Sequence, residues 1–192
     1  MARFGMMKTA FAVMLVATVA AGCSKQVRYG DAQAVETVTL EFGSTDMQLI
    51  AEAMTRSLLQ SPVVASGNQP IVTVQEVKNK TSEYIDTRAI TDSIRVQLSR
   101  SGKVRFAVDE AAMQQQIAEL ERQQSEYYEE SQAVEIGRMV GAGYRMEGNI
   151  ISIVKSARSE KDVFYKFNLQ LWNVQNGLLE WSDEKEIRKT ES

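Results

Sequence analysis

The single thiol of this chain stands where its chemistry is easiest to read. Cys23 follows Ala20, Ala21 and Gly22 at the end of an apolar run, Thr9 to Ala21, that lies behind the cations Arg3 and Lys8. The run covers about 13 residues, short of the roughly 20 that an apolar helix needs to cross a bilayer, and it closes on small residues as a peptidase site requires. Small residues followed at once by cysteine match the lipobox of bacterial lipoprotein signal peptides. There the thiol is loaded with diacylglycerol, the bond before it is cut, and the new amine takes a further fatty chain such as palmitate. Residues 1–22 are therefore expected to be a signal peptide and Cys23 the lipidated first residue of the mature protein. Each buried methylene adds about 0.8 kcal/mol, so several chains hold a protein on a membrane without any segment spanning it. Ser24 after the anchor, by analogy with Gram-negative sorting, favours the outer membrane and a domain facing the periplasm.

Other reactive combinations are scarce. Histidine is absent, which removes Ser-His-Asp and Cys-His arrangements and the commonest ligand of transition metals. No second cysteine exists to form an intramolecular disulfide. Six glutamates between Glu119 and Glu135 follow no calcium-loop spacing and read as a solvated face. Gly141-Ala142-Gly143 precedes an expected strand, whereas phosphate loops follow one, so it reads as a helix ending. The sequence thus predicts no enzyme, no cofactor and no metal. The formal charge of −3, or −5 once Arg3 and Lys8 are removed, gives no reason to expect nucleic acid as a partner. What remains is a binding surface. The loop Lys78 to Asp86 offers cations, amides and one aromatic between a strand and a helix, a common place for recognition. Asn79-Lys80-Thr81 in that loop also fits a glycosylation sequon, which a bacterial lipoprotein has no enzyme to read. Trp172 and Trp181 read as a cross-strand core pair rather than a ligand platform.

The elements that must position this loop follow from periodicity. Residues 23–34 form the lipidated cysteine and a short tether, which extends to roughly 40 Å at most, and 35–192 are expected to form a single globular domain. Glu36 to Phe42 alternates like a strand. Thr45 and Gln48 suggest a capping box for a helix carrying Ile50, Ala53, Met54 and Leu58 that stops at Ser61-Pro62, with a loop over Val63–Pro70. Ile71 to Val77 reads as a buried strand. Asp86 or Thr87 caps a helix with Ile90, Ile94 and Leu98 in line, ended by Gly102. Val104, Phe106 and Val108 alternate, and Asp109 caps a third helix bearing Met113, Ile117 and Leu120. A fourth, short helix is expected from about Ser131 to Val140. Tyr144–Val154 and the alternating Val163, Tyr165, Phe167, Leu169 and Leu171 are strands. Asn176-Gly177 predicts a two-residue turn setting Trp172 opposite Trp181 and Val174 opposite Leu179. The fold class is α+β, with three to four helices on a mixed sheet ending in an antiparallel hairpin.

Taken in order, the lipobox, the segment Val77-Lys-Asn-Lys-Thr81, the helix Ala89 to Leu98, Ser101-Gly-Lys103, Ile136-Gly-Arg-Met-Val-Gly-Ala-Gly-Tyr144 and the hairpin Asn176-Gly-Leu-Leu-Glu-Trp181 resemble the LpoB family of penicillin-binding protein activators. The resemblance covers roughly Val35 to Lys185, and its fold is similar in style to the TolB N-terminal domain and to the curli-secretion lipoprotein CsgG. It implies an outer-membrane lipoprotein, monomeric and without chemistry of its own, that docks on a class A penicillin-binding protein and stimulates peptidoglycan synthesis. Asn79, Lys80 and Thr81, in the loop that matches the family, are the implied contact residues. Members of that family carry a long proline-rich linker after the lipidated cysteine, whereas this chain has two prolines in all. The rival reading is a structural lipoprotein of a CsgG-like secretion or appendage-assembly apparatus.

Overall fold

Five apolar side chains at every second position between Val163 and Leu171 are buried, and their alternation fixes which face of the sheet is covered. The computed structural model describes residues 28–192 apart from Ile136; the expected signal peptide, Cys23 and Ser24 lie outside the described residues. Gln33–Ser192 form one compact unit.

The elements run α1 (Ser44–Gln60), α2 (Pro62–Ala65), β1 (Ile71–Val74), β2 (Lys78–Lys80), α3 (Thr87–Arg100), β3 (Arg105–Phe106), α4 (Glu110–Gln123), β4 (Tyr144–Ser156), β5 (Lys161–Asn173) and β6 (Leu179–Glu191). They build an α+β fold around one mixed sheet. Its order is β3-β1-β4-β5-β6, with β2 pairing β4 beyond β1. β1 and β2 both lie parallel to β4, through Val72↔Tyr144 and Asn79↔Ile150, so they form one interrupted strand. β4, β5 and β6 make a long antiparallel meander. Gly148 sits in that meander where a Cβ would meet the carbonyl oxygen of Asn168, so only glycine fits.

Ile50, Met54 and Leu58 of α1 and Ile90, Ile94 and Leu98 of α3 close over Tyr165, Phe167, Leu169 and Leu171. Both helices start where their sequences supply an acceptor. The Asp86 carboxylate accepts from the backbone N–H groups of Arg88 and Ala89. α1 is capped at Gly43 rather than at the expected Thr45, with Asp46 reaching back to accept from the Gly43 N–H at 2.9 Å.

Several expectations are corrected. Residues 36–42 form no strand: side chains take up the Glu36 and Phe42 N–H groups and the Leu40 and Glu41 carbonyls. The expected loop after Pro62 opens with one helical turn, and the expected strand to Val77 breaks after Val74. The described residues of Ser131–Val140 are not helical beyond a 3-10 turn at Glu130–Gln132. Val134, Met139 and Val140 there are exposed, and a short helix with nothing to bury against is marginal in water. Gly141-Ala142-Gly143 therefore ends no helix. α4 forms as expected, but of its expected apolar face Leu120 alone is buried and Ile117 is exposed.

The hairpin also differs. Asn173 Oδ1 accepts from the N–H groups of Gln175 and Asn176, and Asn176 Oδ1 from that of Leu178. These side-chain turns build a five-residue loop, Val174–Leu178, in which Gly177 has φ 71° and Asn176 does not have the positive φ that a type I′ turn needs. A bulge follows, so Trp181 faces Leu171 and Trp172 faces Leu179. The tryptophans are not a pair. Trp181 lies against the core, its indole N–H donating to Ser57 Oγ at 3.2 Å.

Candidate partner-binding site

The segment expected to be a loop from Lys78 is a strand through Lys80 and then a tight turn. Asn79 and Thr81 shape that turn. The Asn79 amide donates to the Glu83 carbonyl at 2.9 Å, and the Thr81 N–H donates to Asn79 Oδ1 at 2.9 Å. The Thr81 hydroxyl lies 2.8 Å from Asn79 Oδ1 and 2.9 Å from the Glu83 carbonyl oxygen. Their polar groups are thus engaged within the turn, while Lys78 and Lys80 project with no ion pair among the described residues. Tyr84 is 93% exposed. The buried Thr87 hydroxyl donates to the Val77 carbonyl at 2.7 Å and closes the base of the loop.

Glu83, which sequence reasoning passed over, anchors the turn to the body. One of its carboxylate oxygens accepts from the Phe42 N–H at 3.1 Å, and the other accepts from the Tyr165 hydroxyl. That hydroxyl also lies 2.9 Å from the Leu40 carbonyl oxygen. Burial, and then the hydrogen bond to Glu83, push the Tyr165 phenol well above the ordinary tyrosine range. The Phe42 and Tyr165 rings meet edge to face at 5.7 Å.

Beside this cluster, Lys189 Nζ donates to Asp46 Oδ2 at 2.5 Å and to the Glu41 carbonyl at 2.6 Å. The side chains of that pair are 11% and 5% exposed. The Glu36 carboxylate accepts from the Thr45 N–H at 3.0 Å and from the Ser44 hydroxyl at 2.9 Å, and these bonds hold it below its ordinary range. Residues 36–43 are therefore a strap, held by side chains from β5, β6, α1 and the Lys78–Asp86 segment. No local sequence signal marks its attachment to the sheet, because its partners Glu83, Tyr165 and Lys189 lie 41 to 148 residues away.

What this geometry makes is a rigid presenting surface, with two lysines and a tyrosine displayed on a turn whose own polar groups are engaged internally. Among the described residues, no cluster of three or more His, Cys, Asp or Glu stands ready for a metal ion. The family model described as peptidoglycan-synthase activator LpoB matches residues 46–187, and the chain belongs to that family. The family is one of activators of a synthase rather than of enzymes.

Solved structures similar to this chain include two LpoB C-terminal domains. The one from Salmonella enterica has 19% identity over 74% of this chain and 98% of that chain, with a TM-score of 0.45. The one from Escherichia coli has 18% identity over 74% and 98%, with a TM-score of 0.46. Lipoprotein GNA1162 from Neisseria meningitidis has 14% identity over 63% and 83%, with a TM-score of 0.41. No curated protein matches the chain.

Proposed function

We propose that this protein is a lipid-anchored activator that binds a class A penicillin-binding protein and promotes peptidoglycan synthesis by contact alone, with no catalysis of its own. The observation that carries this reading is the family match across residues 46–187. Residues 1–22 are the signal peptide, acylated Cys23 is the anchor, residues 23–34 are the tether, and residues 35–192 are a monomeric domain facing the periplasm from the outer membrane.

Asn79, Lys80 and Thr81 belong to the contact surface in different ways. Lys80 offers its charge to the partner, while Asn79 and Thr81 set the shape of the turn that carries it. Tyr84 and Lys78 extend the same surface. A preformed turn loses little entropy on binding, which favours affinity.

The test is glycan-strand synthesis on lipid II by purified class A synthases, with and without the full chain in detergent. A several-fold stimulation is expected, and it should fall when Lys80→Glu and Tyr84→Ala are introduced together. Failure to stimulate any of these synthases would overturn the activator reading and favour an assembly role.

A further inference from the structure

The crossover from β3 to β4, residues 107–143, leaves several large apolar side chains exposed. None of its described residues joins the central core cluster. Tyr127 is 85% exposed, and Tyr128, Val134, Met139 and Val140 also stand in solvent. Yet the segment is shaped. The Gln124 side chain donates to the Val134 carbonyl at 3.0 Å, and the Val134 N–H donates to Gln123 Oε1 at 3.2 Å, closing residues 124–134 into a loop on the end of α4. Inside that loop the Tyr128 N–H donates to the Ser125 carbonyl and the Gln132 N–H to the Glu129 carbonyl. The crossover is fastened at its ends, by Arg95 with Asp109 at 3.5 Å and by the Val174 N–H with the Gly143 carbonyl at 3.0 Å.

Charge says what covers this surface. Residues 109–143 hold eight carboxylates against two arginines, Arg122 and Arg138, while the rest of Gln33–Ser192 holds acids and bases in equal number. The crossover therefore carries the whole negative excess of the compact unit. A second copy docked here would set one such excess against another, which disfavours self-association. Exposed aromatic and aliphatic side chains along the crossover, interspersed with the exposed Glu121, Glu126 and Glu129, which make no ion pair among the described residues, fit a partner surface that is both apolar and basic.

We propose that the Tyr127–Val140 surface of the crossover docks on a face of the activated synthase that is both apolar and basic, and that its carboxylates steer the encounter. This rests on the activator reading above and adds to it the chemistry of the partner's face. Steering by exposed charge is screened over about 10 Å at 0.1 M salt, so association slows as salt rises.

The experiment is binding of the full chain in detergent to immobilised class A synthase at two salt concentrations. The variants are Glu121→Lys/Glu126→Lys/Glu129→Lys, Tyr127→Ser, and the control Lys155→Glu/Arg158→Glu, at the exposed end of β4 and in the β4–β5 turn. The expected result is that the triple variant binds at least tenfold more weakly and loses most of the salt dependence. Tyr127→Ser should weaken binding without changing the salt dependence, and the control should bind as wild type does. Wild-type binding with an unaffected triple variant, or a dimer of the wild type that the triple variant abolishes, would overturn this inference and leave the activator reading standing. Absence of wild-type binding would overturn the activator reading and this inference with it. Far-UV circular dichroism confirms that the variants, altered at exposed positions, keep the fold.

Discussion

Residues 36–43 have no regular secondary structure and belong to the body of the protein, whereas residues 110–123 form some four turns of helix and do not. The strap places Leu40 and Phe42 against the core and gives its backbone groups to Glu83, Tyr165 and Lys189. α4 satisfies its own backbone, closes on the Asp109 cap, and leaves Ile117 in water. What integrates a segment is therefore buried apolar area together with satisfied polar groups, not the regularity of its hydrogen bonds. The strap is thus fastened to the body by burial and long-range hydrogen bonds, while the crossover stands outside the core cluster.

The sharpest way to break this contrast is Lys189→Ala. It strands the Asp46 carboxylate, 5% exposed, without its cation, and loss of about 3–5 kcal/mol is expected in urea unfolding. An effect below about 1 kcal/mol would mean that the strap is decoration. Gly148→Ala comes next. A Cβ facing the Asn168 carbonyl must push β4 from β5, at a cost of about 1–3 kcal/mol by thermal unfolding.

Glu83→Ala removes the acceptor shared by the Phe42 N–H and the Tyr165 hydroxyl, for a loss of about 1–3 kcal/mol. The same variant should weaken synthase activation, because the turn bearing Lys80 loses its anchor. At the small end, Tyr127→Ser in the crossover should leave stability within about 0.5 kcal/mol of wild type. A larger loss there would show that the crossover is part of the body after all.

The Tyr165 phenol sharpens the comparison by pH. Its folded pKa lies above the ordinary value of 10.0, so the unfolded chain gives up the proton first. This contribution is whole below pH 10 and is lost as pH rises beyond it toward the folded value. Stability measured from pH 9 upward should fall, and Tyr165→Phe should flatten that slope.

The helices of the body were legible in the chain because their signals are local. Asp86 stands one residue before α3, and Ile90, Ile94 and Leu98 repeat at helical spacing, so cap and buried face can be read within 13 residues. The alternation of β5 is equally local. The strap misled because Leu40 and Phe42 do alternate inward, while the acceptors and donors that displace a ladder come from Glu83, Tyr165 and Lys189 far along the chain. The hairpin misled because Asn173 and Asn176 offered side-chain turns that outcompeted the two-residue turn. At the candidate site, Lys80 was readable as a displayed cation. That Asn79 and Thr81 bind each other was not.

By itself the sequence determined the fold class, the α1 and α3 faces and the buried stripe of β5, since capping and periodicity act over a few residues. It also carried the order of motifs that resembles the family. The tertiary structure alone decided that an irregular strap is fastened at the sheet while a well-formed helix stays outside the core. Burial and charge pairing depend on which distant side chains arrive, and no local pattern encodes that.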